Sequence, residues 1–245
     1  MAHIEEHVAD VGVESPYLVE GLPGVGLVGK IAVDHLVSEW DMTHVASAHC
    51  EGIPNVSVYR DGAYDLAPPV RIYADSERDV LALQSDVPVS AEAATEFAGC
   101  VTEWYAGYDA TPICLVGIAA DKDGVPDVFG VATGDGADML SSHDIQPPGD
   151  SGMVAGPTGA LLSEADGRGI AGVGLVVESN PQFPDPEAAR VLLTSGIGPI
   201  AGVEVDTEAL VEQAEEIADA RERLAQRMQE ATEESSRAQP VGMYQ

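Results

Sequence analysis

The chain has 245 residues, of which 45% are hydrophobic, so it is long enough for one large domain with a complete apolar core. Its 42 acidic residues against 11 basic ones give a formal net charge of −31, which excludes electrostatic binding to nucleic acid or to an anionic membrane surface. The acidic residues are spread along the whole chain, a pattern that favours adaptation to a cytoplasm of high salt concentration over a function of one acidic segment.

The cysteines and the N-terminal sequence indicate the compartment. Cys50, Cys100 and Cys114 are too few and too scattered for a disulfide framework, which is typical of a reducing compartment. The first residues contain no basic stretch followed by an apolar run, so no signal peptide is expected. No apolar run approaches the roughly 20 residues that cross a bilayer. The histidines form no motif typical of a metal site. We therefore expect a cytoplasmic protein with no bound metal.

The first predicted elements are a strand at 17–19, a glycine-rich turn at 21–26 and a helix at 27–40. Apolar residues recur at helical spacing through the last of these segments. Short strand-like segments follow, separated by turn signals that predict hairpins. These segments lie at 43–49, 55–60, 70–74 and 79–84.

The second half of the domain alternates helices and strands. Ser90 is the predicted N-cap of a helix that runs to about Gly107. Two continuous apolar runs, 112–120 and 170–178, are typical of strands buried on both faces of a parallel sheet. The other predicted elements are a strand at 127–132, a helix that ends at 161–162 and a helix at 186–195. This alternation predicts an α/β domain with three layers, α/β/α, over residues 1–205.

The C-terminal part has a different pattern. Over 206–234, apolar residues three or four positions apart form a narrow stripe on a highly charged predicted helix. Such a helix packs either on its own domain or on a neighbouring subunit, and the sequence leaves both open. Residues 235–245 are polar and lack periodicity, which predicts a flexible tail.

The glycine-rich turn admits two interpretations. Gly24, Gly26 and Gly29 form a GxGxxG pattern between a predicted strand and a predicted helix, and Glu51 lies near the end of the next predicted strand. This is the setting of a dinucleotide-binding turn, where glycines allow backbone amides to approach a pyrophosphate. Alternatively, the glycines only allow the helix and the strand to pack closely.

Other catalytic patterns are weaker. Lys30 stands where a phosphate-binding loop has its lysine, but Ile31 follows where a Ser or Thr hydroxyl is needed for Mg²⁺. We find no arrangement of nucleophile, base and acid that points to a reaction. The sequence therefore predicts a protein that is not an enzyme and that carries no cofactor. A nucleotide- or dinucleotide-binding enzyme that uses the turn from Gly24 to Gly29 is the alternative.

The chain ends in a compact apolar and aromatic group. Met243 and the ring of Tyr244 are suited to fill a pocket, and the terminal carboxylate of Gln245 can pair with a lysine or with backbone amides. About ten flexible residues before them would reach at most ~35 Å from the folded domain. The ending therefore predicts a docking motif on a tether.

Two glycine-rich blocks carry a family resemblance. Residues 20–32 read EGLPGVGLVGKIA and residues 152–162 read GMVAGPTGALL, followed by a strand and a helix from Pro184. With these blocks the sequence resembles the proteasome assembly chaperone family, in particular its archaeal members. The resemblance covers roughly residues 10–200.

The resemblance implies a fold and a set of partners. It implies a phosphorylase/hydrolase-like mixed sheet that lacks the enzymatic site, and assembly into a homo-oligomer. It also implies that Met243, Tyr244 and Gln245 bind pockets between the α-subunits of the proteasome core particle. In that case the glycine turn is a structural element, with a ligand site as the alternative; its residues are Gly21, Pro23, Gly24, Gly26 and Gly29.

Overall fold

The chain folds around one mixed β-sheet. The computed structural model describes residues 2–59, 64–120, 124–218 and 220. Within these residues eight strands join in a single sheet. In chain order they are β1 (His3–Glu6), β2 (Tyr17–Gly21), β3 (Thr43–His49), β4 (Val70–Asp75), β5 (Val80–Ser85), β6 (Thr111–Ala119), β7 (Val128–Thr133) and β8 (Gly172–Ser179).

The strand order places β2 inside the sheet. The order is β1-β3-β4-β5-β2-β6-β8-β7. β2 pairs in parallel with β5 and β6, and β6 pairs in parallel with β8. β1, β3, β4 and β5 are joined antiparallel, and β7 runs antiparallel to β8. The α/β class and the mixed sheet are thus confirmed, and β4 and β5 form one of the expected hairpins. The hairpins expected on either side of a strand at 55–60 are not formed, because β3 pairs directly with β4.

Helices pack on both faces of the sheet. Side chains alternate along a strand: Leu18 of β2 lies in the same apolar cluster as Phe97, whereas the next residue, Val19, lies in the cluster that contains Val33. The helices are α1 (Val28–Glu39), α2 (Ala94–Ala106), α3 (Ala137–Ser142), α4 (Gly156–Gly167), α5 (Pro186–Val191) and α6 (Gly198–Ala201), with a π-helical turn (Leu192–Ile197) between the last two. Phe97 belongs to α2 and Val33 to α1, so these helices cover opposite faces.

Two strand predictions differ from the structure. β1 was not predicted, because His3–Glu6 has a single apolar residue, the half-buried Ile4, and therefore no alternation of apolar residues. The strand predicted at 55–60 is wrong. In the described part of that segment, pairing is limited to an isolated bridge between Val58 and Ala67. A segment with the apolar pattern of a strand therefore forms a strand only where a neighbouring strand lies in position to pair with it.

Two helix ends also differ. The predicted N-cap Ser90 is wrong, because α2 begins at Ala94 and its N-cap position, Ala93, makes no side-chain capping bond. The carbonyl of Ser90 instead accepts a hydrogen bond from the amide of Ala93, in a turn that precedes the helix. The helix end predicted at 161–162 is also wrong, because Leu161 lies in the middle of α4 and its burial stabilises a longer helix.

The start of the predicted C-terminal helix packs on α1 of the same chain. Residues 208–218 are helical, and Leu210 is buried in the cluster formed by α1. The ring Nε2 of His35 in α1 lies 2.5 Å from the carbonyl oxygen of Asp206. The remainder of the helix predicted at 206–234, and the tail predicted at 235–245, lie outside the described residues.

Candidate functional site

The glycine-rich turn joins β2 to α1 at the carboxyl ends of the parallel strands. Val25–Leu27 form one 3-10 turn, and α1 begins at Val28. Within this turn Gly26 has φ 61° and Leu27 has φ 53°, so two consecutive residues are left-handed. That conformation is accessible to glycine without steric cost but costs other residues roughly 1–2 kcal/mol. The turn therefore depends on Gly26.

Three glycines of the turn allow close packing. A Cβ atom at Gly21 would overlap the side chain of Val33 in α1, and one at Gly26 would overlap the Oγ of Ser179 at the end of β8. A Cβ at Gly29 would lie 3.3 Å from the Cβ of Leu115 in β6. These contacts hold the turn and the start of α1 against the sheet, as the structural interpretation expects.

The exposed part of the turn is different. Gly24 has extended backbone (φ −140°, ψ −161°), and a Cβ placed on it would have no neighbour within 4 Å. Pro23 before it is half-buried. Gly24 is thus a glycine without a packing role of its own, and it provides a matched control for the packed ones.

Glu20 is a buried carboxyl group directly before the turn. Only 1% of the residue is exposed. Its Oε1 accepts hydrogen bonds from the amide of Leu22 at 2.8 Å and from the hydroxyl of Thr158 in α4 at 3.1 Å, and its Oε2 accepts one from the amide of Leu115 at 3.3 Å. Burial raises the pKa of Glu20 to about 7, although these three donors act in the opposite direction. This carboxyl group ties β2 to β6 and to the first turn of α4.

Glu20 should make folding stability depend on pH. Its pKa rises from 4.5 to about 7 on folding, so between these values the folded state binds more protons than the unfolded state. Stability then falls as the pH rises through this window, by up to roughly 3 kcal/mol, and levels off above it. We expect Glu20→Gln to reduce this loss, as measured by urea unfolding at pH 5 and pH 8 at fixed salt concentration.

The control for this measurement is a surface carboxylate. Glu164 in α4 pairs with Arg168 on the exposed side of the helix, so Glu164→Gln should leave the difference between pH 5 and pH 8 as in the parent protein. Equal pH dependence in the parent and in Glu20→Gln would contradict the assignment.

A network of charges joins α1 to β4 and β5. Arg71 is 1% exposed and pairs through Nη2 with Asp86, and its Nη2 also donates to Oε1 of Gln84 at 2.7 Å. The side-chain Nε2 of Gln84 donates a hydrogen bond to Oδ1 of Asp34 in α1 at 2.6 Å. Lys30 completes the network, with Nζ 2.8 Å from Asp34 and 3.0 Å from Asp86. Two positive and two negative charges thus balance one another.

The pKa values in this network follow its geometry. Burial lowers the pKa of Lys30, but hydrogen bonds and charges of Asp34 and Asp86 outweigh it, so the net shift is upward. Burial raises the pKa of Asp86, but Arg71 and Lys30 outweigh it, so the net shift is downward. The Nζ of Lys30 therefore binds the carboxylates of Asp34 and Asp86. It does not occupy the role of the lysine in a phosphate-binding loop.

The topology does not favour a dinucleotide site at the turn. A dinucleotide fold needs its second strand next to the first, with an acid at its end that meets the ribose. Here β3 is separated from β2 by β4 and β5, which places Glu51 about three strand spacings, or roughly 14 Å, away. The carbonyl of Gly26 accepts a hydrogen bond from the amide of Asp185, so the loop after β8 lies against the turn.

Among the residues that the structure describes, no group of three or more His, Cys, Asp or Glu side chains is arranged to hold a metal ion. In the same part of the chain, every helix is too short or too polar to cross a membrane. The predicted docking residues Met243, Tyr244 and Gln245 lie outside the described residues. The five predicted turn residues lie together in the structure. The docking motif stays a prediction from the sequence.

The profile of the PAC2 family matches residues 18–225. This chain belongs to the PAC2 family. A protein of Methanocaldococcus jannaschii, itself uncharacterized, is 30% identical to this PAC2 protein over 211 residues, which cover 82% of this chain and 80% of the relative.

Solved structures of two proteins from Pyrococcus furiosus share the fold of this chain. PbaA, described as an archaeal homolog of proteasome-assembly chaperone, is 27% identical, with a TM-score of 0.78 over 96% of this chain and 97% of PbaA. PbaB, described as an archaeal proteasome activator, is 24% identical, with a TM-score of 0.79 over 91% of this chain and 98% of PbaB. At that identity the match to PbaB establishes the shared fold only.

Sequence reasoning missed the buried polar groups of this PAC2 protein. Glu20 ends an apolar run and directly precedes the turn, and Arg71 stands among the apolar residues of β4. A charged residue inside an apolar strand is a signal for a buried, paired group. Their partners come from distant parts of the chain, as Thr158 does for Glu20, so the sequence does not identify them.

Proposed function

We propose that this PAC2 protein binds the proteasome core particle and acts as an assembly chaperone or a regulator of it, without catalysing a reaction itself. The observation that carries the proposal is the relation to PbaA, which extends over nearly the whole of both chains. The fold match to PbaB is compatible with it. Neither the charge network at Lys30 nor the position of Glu51 favours the nucleotide-binding alternative.

We further propose that the C-terminal residues make the contact. Met243 and the Tyr244 ring would fill an apolar pocket between neighbouring α-subunits of the core particle, and the carboxylate of Gln245 would pair with a basic group or backbone amides there. The helix that starts at 208 packs on α1 through Leu210, and most of its described residues are exposed. In this proposal it would carry the tail towards the partner.

Assembly into a homo-oligomer would strengthen this contact. Several identical tails would meet a ring of repeated pockets, and each contact after the first would form at a high effective concentration. The proposal places the protein in the cytoplasm, needs no cofactor, and involves neither nucleic acid nor a membrane. The net charge of −31 is compatible with a cytoplasm of high salt concentration.

The partner can be identified by co-purification from an extract of the native cells. The full chain should capture core-particle subunits, identified by mass spectrometry, in the molar salt of the extract. Tyr244→Ala removes an aromatic anchor that is typically worth 2 kcal/mol or more, so the affinity should fall roughly thirtyfold and less core particle should be captured at the same bait concentration.

Two variants control the co-purification. Removal of residues 243–245 should abolish capture, whereas Tyr244→Phe keeps the ring and should retain most of it. If the truncated chain captures the core particle as well as the full chain does, the C-terminal residues are not the contact.

A further inference from the structure

An apolar arm lies between β3 and β4. It consists of the two described segments 53–59 and 64–69. Four of the nine large hydrophobic side chains that are exposed in the described part of the chain belong to it, namely Val56, Tyr59, Tyr64 and Leu66. Tyr64 is fully exposed and Tyr59 is 81% exposed. Such a cluster of exposed apolar side chains is typical of a surface that binds another molecule.

The backbone of the arm places two of these side chains next to each other. Val58 and Ala67 exchange both of their backbone hydrogen bonds, each 2.9 Å long, in an isolated antiparallel bridge. The residues that follow Val58 and precede Ala67, which are Tyr59 and Leu66, are therefore neighbours across the arm. The apolar side chains are thus presented together by a paired backbone.

A recess lies beside the arm, at the end of β3. Its volume is about 590 Å³, which is within the range of pockets that take a small organic molecule, so it has room for an aromatic ring. Among the residues of its lining, Glu51 is the one acid. Much of the lining comes from apolar residues of the arm, namely Ile53, Pro54, Val56, Leu66, Pro68 and Pro69.

The arm carries little charge in a very acidic chain. Acidic residues make up 42 of the 245 residues, whereas the two segments of the arm contain a single one, Asp65. Two copies of a chain with a net charge of −31 repel each other, so a contact between copies is most favourable where the acidic residues are fewest. Salt at about 1 M shortens the reach of this repulsion to roughly 3 Å. Apolar contacts do not depend on charge and are not screened.

The size of the surface fits a reciprocal contact between two copies. An aromatic side chain buries about 150–250 Å², so Tyr59 and Tyr64 of both copies together bury roughly 600–1,000 Å². The surfaces that receive these rings lose a similar area, so the total reaches the roughly 1,200–2,000 Å² of specific interfaces. A contact in one direction only would bury about half of this area and would be too small.

The arm and the recess lie on the same face of the molecule. Val56 and Leu66 are among the exposed side chains of the arm and also line the recess. A two-fold axis beside this face therefore brings the rings of each copy to the recess of the other, as a self-complementary interface requires.

We propose that the arm and the recess form the contact between two copies of this chain, in which Tyr59 and Tyr64 of each copy pack into the recess of the other. The proposal goes beyond assembly into a homo-oligomer, because it names the surface on which the copies meet. This surface is separate from the C-terminal residues. The contact between copies can therefore be tested without the core particle, and either contact can exist without the other.

Sedimentation velocity of the full chain in 2 M KCl tests this contact. We expect the parent protein to associate with a Kd below about 10 µM. Tyr64→Asp removes a ring from each side of the contact and adds two like charges, so it should weaken association at least a hundredfold. Tyr64→Phe keeps the ring and should retain most of the association. Since Tyr64 is fully exposed, these changes should leave the fold intact, which circular dichroism checks.

Met153→Asp is the matched control. Met153 is 90% exposed and lies outside the arm, so this change adds the same charge elsewhere and should leave association as in the parent protein.

Three results would overturn the proposal. One is a parent chain that stays monomeric at about 100 µM, which is well above the expected Kd. If Tyr64→Asp then weakened capture of the core particle, the arm would bind that particle and not a second copy. Another is a Tyr64→Asp variant that associates as the parent does, because the copies would then meet on another surface. The third is equal weakening by Tyr64→Asp and Met153→Asp, because added charge alone would then explain the loss.

Discussion

Gly26→Val is expected to lower the free energy of unfolding by about 2 to 5 kcal/mol. The left-handed backbone at this position, with φ 61°, costs a side chain roughly 1–2 kcal/mol. The added Cβ would overlap the Oγ of Ser179, and overpacking of this kind costs roughly 1–3 kcal/mol more. Urea unfolding at a fixed KCl concentration measures the sum of the two.

Gly24→Ala is the control for this change within the same turn. Its backbone is extended and a Cβ meets nothing within 4 Å, so we expect a change of less than about 1 kcal/mol. If both variants lose the same stability, or if neither does, the packing role assigned to Gly26 is wrong. A turn that binds a dinucleotide would instead reveal itself by ligand-dependent stability in the parent protein.

Arg71→Ala is expected to destabilise the protein by about 3–5 kcal/mol, because it removes a buried guanidinium that donates to Asp86, to Gln84 and to the hydroxyl of Tyr73, although Asp86 keeps its contact with Lys30. The side chain is 1% exposed, so water does not replace the guanidinium easily. The same urea titration measures the loss.

Arg78→Ala provides the matched control. Its side chain is 36% exposed and pairs with Asp75, which also accepts hydrogen bonds from the amides of Glu77 and Arg78. We therefore expect a loss of about 1 kcal/mol or less. A loss as large as that of Arg71→Ala would mean that the buried Arg71 contributes no more to stability than the partly exposed Arg78.

The parts of the fold that the sequence predicts are those with local signals. The run 112–120 is apolar throughout and the run 170–178 is apolar up to Glu178, and they correspond to β6 and β8 inside the sheet. β1 has no such signal, because His3–Glu6 is held by its pairing with β3, which is 40 or more positions away in the chain. The strand predicted at 55–60 had a signal but no partner strand. The sequence pattern thus does not show which distant segments pair with each other.

The candidate sites divide in the same way. Gly26 and Gly29 were predicted from their spacing and Gly21 from the family resemblance, and the structure supplies the side chains that they make room for. The buried contacts of Glu20 were not predicted, because its partner Thr158 lies 138 positions away in the chain. The docking motif at Tyr244 remains a prediction from the sequence.

The most direct test of the proposed function is sedimentation velocity of purified core particle mixed with the full chain or with Tyr244→Ala, in the same high-salt buffer. We expect the full chain to sediment with the core particle and to saturate it, and Tyr244→Ala to need a roughly thirtyfold higher concentration for the same bound fraction. Equal co-sedimentation of both chains would contradict the tail contact. Absence of co-sedimentation of the full chain at saturating concentration would contradict the proposed function itself.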